Sequence, residues 1–141
     1  MSNYLPKMLV ILSKITYNND NDENSIRRIS DMAITTFAAI DVGSFEVEMG
    51  IYEISNRNKI RKLDQIRHVT ALGKDTYNNG KISYEMVEEL CDVLADFARI
   101  MKSYKVTEYR AYATSAMREA RNNRIVLDQI RVRTGIQVRI I

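Results

Sequence analysis

Two spacings of apolar residues run through this chain, and they divide it into elements. From Phe45 to Tyr52, Phe45, Val47, Met49 and Ile51 alternate with Glu46, Glu48, Gly50 and Tyr52. That period of two predicts a strand over 45–54. The short apolar run 35–42 fits a central strand. Asn56-Arg57-Asn58-Lys59 makes a polar turn, and 59–72 is a third, more amphipathic strand. Residues 73–83, rich in Gly and Asn, read as a loop. Ser83 then caps a helix whose apolar positions are Val87, Leu90, Cys91, Leu94, Phe97, Ala98 and Met101, with Glu85, Glu88 and Glu89 near its positive end. A fourth strand covers 108–115. A second helix runs from about Arg124 to Arg133 and stops at Gly135, and 136–141 is a fifth strand.

The order strand-strand-strand-helix-strand-helix-strand predicts an α/β lobe with a mixed five-stranded sheet. Two antiparallel hairpins give way to right-handed parallel crossovers. If the first two strands form a hairpin, Asp41-Val42-Gly43-Ser44 is its turn. Glycine lets backbone approach a ligand closely, and the exposed amides and the serine hydroxyl can hold phosphate. The Asp41 carboxylate at the same end suits a magnesium ion or its water shell. The third and fourth strands run parallel to the first, so Lys74 and the run Ala113 to Arg118 open on the same edge. An acid, a glycine turn, a lysine, two hydroxyls and an arginine are thereby expected on one rim.

Composition narrows the class without changing that picture. The 141 residues fit one modest domain or a piece of a larger one. With 21 basic and 18 acidic residues the net charge is +3, too mild to argue for nucleic acid or a membrane surface. Cys91 is the sole cysteine, which excludes a disulfide framework and points to a reducing cytoplasm. Residues 1–31 read as a disordered tail. Their apolar part, broken by Lys7 and Lys14, is too short to span a bilayer, and the polar run 18–25 has no period. Arg27-Arg28 stands shortly before Met32, and a strong ribosome-binding sequence reads in frame as Arg-Arg. The natural start is therefore expected at Met32, with 32–141 as the folded lobe and the residues before it an over-called reading frame.

Three runs carry a family resemblance: 38–44 (AAIDVGS), 70–83 (TALGKDTYNNGKIS) and above all 111–122 (AYATSAMREARN). Together they resemble the exopolyphosphatase and guanosine pentaphosphate phosphohydrolase family, over about 36–141. The resemblance implies the ribonuclease-H-like fold shared by actin-like ATPases, sugar kinases and DnaK-type chaperones. It also implies hydrolysis of terminal phosphate from polyphosphate or guanosine pentaphosphate, with magnesium and an acid that activates water. Asp41, Gly43 and Ser44 match the first phosphate loop, with Asp41 as the magnesium contact through water. Thr114, Ser115 and Arg118 match the second set of phosphate contacts, and Asn122 the asparagine that follows. Glu46 and Lys74 stand as further candidates.

Two departures go with it. Phe45 and Glu46 stand where the family usually has Asn followed by Ser or Thr, and Glu46 adds negative charge beside the proposed phosphate. The family's catalytic glutamate and glycine-rich second loop follow the fifth strand, so this sequence looks like the truncated first part of a longer enzyme, a homodimer in full-length form being compatible with it. No catalytic residue is therefore expected within the chain, which alone should be inactive.

Each feature also has a plainer reading. Asp41 to Ser44 is equally a simple hairpin turn, Lys74 a solvated lysine, Arg118 half of an ion pair and His68 a sheet residue. The stripe from Val87 to Met101 is core. Arg124, Arg131, Arg133 and Arg139 against Asp128 make a basic end, either a polyphosphate track or an ordinary surface. Besides the hydrolase, two function classes stay open: a non-catalytic phosphate- or nucleotide-binding module, and a nucleotide-kinase-like relative sharing only the fold.

Overall fold

β-Branched and small apolar residues at period two build the centre of the molecule. In a computed structural model that describes residues 34–55 and 59–141, they form β1 (Ile34–Val42), β2 (Glu46–Ser55), β3 (Ile60–Val69), β4 (Glu108–Ala113) and β5 (Val138–Ile140). These five join in one mixed sheet of order β3-β2-β1-β4-β5. β1 pairs antiparallel with β2, and β2 with β3; β4 lies parallel to β1, and β5 parallel to β4. Strand order and pairing give the α/β, ribonuclease-H-like architecture expected. The expectations for 1–31, and for 56–58 of the polar turn, lie outside the described residues.

Four helices complete the described residues: α1 (Leu72–Asn79), α2 (Tyr84–Ser103), α3 (Ser115–Glu119) and α4 (Asn123–Thr134). α2 is the helix its 3.6-residue period announces. The Ser83 side chain accepts a bond from the Met86 N–H at its start, and Val87, Leu90, Cys91, Leu94, Phe97 and Met101 are buried along one stripe. α4 ends where Gly135 takes a left-handed φ of 77°, closing on the Arg131 carbonyl. Both helices pack with Ile40, Val42, Val47, Met49 and Ile51 into the main core. Each buried large side chain there contributes about 1.5–3 kcal/mol relative to exposure.

Two expectations need correction. Of residues 73–83 only 80–83 are a loop: 72–79 form α1, and β3 ends at Val69, so Lys74 lies on a helix and not at a strand end. α1 buries only Leu72, Gly73 and Thr76, too few to show as a period. Tertiary clamps hold it instead. The Thr76 hydroxyl donates to the Ala116 carbonyl at 2.9 Å, and the Arg121 guanidinium donates to the Asn79 carbonyl at 3.2 Å at the C-terminal end, where a cation is favoured. The fourth strand likewise stops at Ala113, with Ser115 opening α3, so the element order gains two short helices.

Candidate functional site

The turn between β1 and β2 is shorter than expected, because Asp41 and Val42 belong to β1 and only residues 43–45 reverse the chain. The Gly43 N–H donates to the Glu46 carbonyl at 2.9 Å. A Cβ on Gly43 would lie 2.9 Å from that same oxygen, so the tight turn requires glycine. The Phe45 carbonyl accepts from the Thr70 N–H at 2.8 Å, and Phe45 is 68% exposed beside the turn.

Ser44 is where distant segments meet. Its carbonyl accepts from the Gly73 N–H at 2.7 Å, which seats the start of α1 on the turn. Its hydroxyl lies 3.4 Å from the Ser115 hydroxyl, 71 positions along the chain. Thr114, between β4 and α3, has its N–H bonded to the Val42 carbonyl at 3.3 Å. The structure therefore brings Gly43, Ser44, Thr114 and Ser115 together at one end of β1 and β4, as the sequence suggests. This is the edge where open α/β sheets take ligands.

A third hydroxyl joins them, from a residue that sequence reading placed in a loop. The Tyr77 hydroxyl lies 2.8 Å from that of Ser115 and 3.2 Å from that of Ser44. Tyr77 lies inside the resembling run 70–83, but its place four residues after Gly73 was hidden once the segment was read as non-helical.

Arg118 sits one turn into α3, exposed, and its guanidinium donates to the Ile141 carbonyl at 2.7 Å. Among the described residues it has no ion pair with an acid, the partner that the plainer reading suggested. Lys74 is exposed on the first turn of α1, and among the described residues no side-chain bond joins it to the hydroxyls. Asn122 is a clamp: its side chain accepts from the Ile82 N–H at 3.0 Å and donates to the Ile82 carbonyl at 2.8 Å.

Acidic chemistry gathers on the other face of the same hairpin. Asp41 stands opposite Glu48 on β2 and beside Tyr112 on β4. Glu48 is only 5% exposed, and burial pushes its carboxyl above the usual carboxylate range, opposed by Arg67 at 3.5 Å. Arg67 also reaches Glu46, at 3.7 Å, so a guanidinium stands between the two glutamates. The Tyr52 phenol is pushed up too, by burial first and then by the Glu48 charge. The sequence reading grouped Glu48 with the polar positions of β2 and missed its burial. Arg67, on an edge strand, carried no signal.

Asp41 fits magnesium as a single half-buried carboxylate, which suits an ion that keeps most of its waters. Among the described residues no group of three His, Cys, Asp or Glu side chains is arranged to hold a metal directly.

Other candidate residues have identifiable partners or surroundings. His68 lies in β3, 3.3 Å from a Glu89 oxygen, and Cys91 is buried in the core. Of the four arginines at the basic end, Arg131 bonds Asp128 at 2.7 Å, and Arg133 grips both oxygens of Glu88, one at 2.9 Å. No described helix is long and apolar enough to cross a membrane.

Comparison with known proteins agrees with this architecture. Residues 51–141 match the Ppx/GppA phosphatase family. An exopolyphosphatase 1 from Mycobacterium leprae is 28% identical over 102 residues, covering 72% of this chain and 30% of the relative. One from Mycobacterium tuberculosis is 29% identical over 99 residues, covering 70% and 29%. The crystal structure of the Aquifex aeolicus Ppx/GppA family member superposes with a TM-score of 0.73 at 29% identity, over 77% of this chain and 35% of that one. An exopolyphosphatase structure from Cytophaga hutchinsonii gives 0.72 at 27% identity, over 76% and 34%. The chain thus spans about 30% of the length of the curated relatives it matches.

Proposed function

This chain belongs to the Ppx/GppA phosphatase family, and from that premise we propose that residues 32–141 are the phosphate-binding lobe of a phosphoanhydride hydrolase. Its substrate is polyphosphate or guanosine pentaphosphate, shortened by one terminal phosphate at a time. The observation that carries the reading is the meeting of Ser44 and Ser115, 71 positions apart, at the ends of two parallel strands. Hydroxyls and turn amides brought to one point without an apolar reason suit a ligand with many acceptor oxygens.

In this reading Gly43 opens the backbone to the phosphate, Ser44, Thr114 and Ser115 donate to its oxygens, and Arg118 adds a charged fork. Asp41 holds magnesium through water, and the ion neutralises charge on the phosphate oxygens. Lys74 and Glu46 take no direct part; Glu46 is engaged by Arg67. The cytoplasm is the proposed compartment and a homodimer the proposed full-length form, with neither nucleic acid nor membrane as partner.

A second reading has its own observation. Glu46 and Glu48 bring two carboxylates to the end of the β1–β2 hairpin that also carries Asp41, and Arg67 lies within 4 Å of both. Acids this close to the proposed phosphate favour a module that binds phosphate without hydrolysing it.

Arg118 separates a specific site from a diffuse basic surface. Arg118→Lys keeps the charge and loses the paired geometry, so tripolyphosphate affinity should fall about fivefold to tenfold, on the order of 1 kcal/mol. Arg121→Lys, whose guanidinium caps α1, should leave affinity unchanged. Equal losses that grow together as salt is lowered would mean a diffuse surface and would overturn the assignment.

A further inference from the structure

We propose that Tyr77 is a direct phosphate contact of this site, the third donor of a three-hydroxyl cradle formed with Ser44 and Ser115. The proposal rests on the phosphate-site reading above and adds to it a residue that belongs to neither phosphate loop.

The placement of Tyr77 is built, not incidental. Gly73 lies so close to the turn that a Cβ there would sit 2.9 Å from the Ser44 Cβ and 3.1 Å from the Tyr77 ring. Only glycine lets α1 settle at this depth. One helical turn later, on the same face, Tyr77 is carried over Ser44. Thr76 pins the neighbouring position to α3 through the Ala116 carbonyl. The phenol is therefore fixed from two sides, yet the residue is 50% exposed, so a ligand in solution can reach it.

The hydrogen bonding inside the cluster is unbalanced in a way that suits an anion. Each hydroxyl has one proton and two acceptor lone pairs. Only the Tyr77–Ser115 contact, at 2.8 Å, has the length of a full O–H···O bond. The two contacts of Ser44, at 3.2 and 3.4 Å, are long and weak. With no carboxylate among the three partners, rotating the protons outward sacrifices little. A phosphate oxygen then receives converging donors from the β1–β2 turn, from α1 and from α3. A phenylalanine ring at position 77 would fill nearly the same space without the donor, so the hydroxyl sets how many oxygens the site can engage.

Calorimetry with inorganic tripolyphosphate on the intact chain tests this, comparing the natural protein with Tyr77→Phe and Arg118→Ala. Tyr77→Phe retains the ring, so its melting temperature should stay close to the parent while affinity falls about threefold to tenfold. In parallel, the ring Cζ resonance of Tyr77, identified by its loss in Tyr77→Phe, should move when tripolyphosphate is added, because the hydroxyl exchanges a serine for a phosphate oxygen. Affinity that survives Tyr77→Phe but falls in Arg118→Ala overturns the role of Tyr77 and leaves the phosphate site standing. Weaker binding with an unmoved Cζ resonance means that Tyr77 only positions the serines, and it overturns the direct contact. No tripolyphosphate binding, or no effect of either substitution, overturns the site reading and this proposal with it.

Discussion

The two faces of the sheet solve burial differently. On one face Ile40, Val42, Val47, Met49 and Ile51 meet the apolar stripes of α2 and α4, and every described helix residue in a core cluster belongs there. The other face carries a strip of four, Phe37, Ala39, Tyr52 and Tyr112, to which no described helix contributes. At its turn end that strip gives way to Asp41 and the buried Glu48. Gly50 makes room for it, since a Cβ there would lie 2.6 Å from the Tyr52 ring that leans across it. One face is an ordinary core. The other trades apolar area for carboxylates beside the proposed phosphate loop, an exchange that functional edges accept and cores do not.

Substitutions on the two faces should therefore differ in kind as well as in size. Leu94→Ala, at a fully buried position of the helix-covered core, should cost about 2–5 kcal/mol in urea unfolding. A loss under about 1 kcal/mol would mean that this core is loosely packed.

Glu48→Gln should act mainly through pH. Burial raises the Glu48 carboxyl in the folded state above its ordinary 4.5, so the folded chain holds that proton more tightly than the unfolded one. Stability linked to this group is fully present below 4.5 and declines as pH rises through the folded value. Urea midpoints of the parent should thus fall more steeply than those of Glu48→Gln between pH 4.5 and neutrality. Parallel slopes would show that Arg67 fully compensates the burial of Glu48.

The smallest effect is expected far from either face. Arg133→Ala removes the exposed pair with Glu88, whose carboxyl the guanidinium holds below its ordinary range. Its slight contribution is present above pH 4.5 and is lost as pH falls through the lowered value, the reverse of Glu48. A loss rivalling that of Leu94→Ala would mark the α2–α4 surface as part of the core.

Period and punctuation made most of the fold legible. The stripe of α2, the αL stop at Gly135 and the alternation in β2 each correspond to an observed element. α1 was hidden because its stability comes from Ser44, Ala116 and Arg121 rather than from its own composition. The rim residues Ser44 and Ser115 were legible as a pair of motifs, and the geometry unites them. Tyr77 was not, since its role depends on a helix the sequence did not declare. Glu48 was missed for a related reason: alternation tells which residues share a face, but not whether that face is covered.

The 71 positions between Ser44 and Ser115 also have a meaning in time. Val42 pairs with Val47 and Ile34 with Ser55, so the β1–β2 hairpin can form from local contacts. β4 joins β1 only across a far larger loop, whose closure entropy must be met before its contacts help. We expect the hairpin amides to gain hydrogen-exchange protection before those of β4 during refolding, and simultaneous protection would refute that order. The cluster of hydroxyls straddles the late junction. A ligand that rests on both serines therefore recognises only chains that have completed this step, and by mass action it holds the finished sheet against reopening.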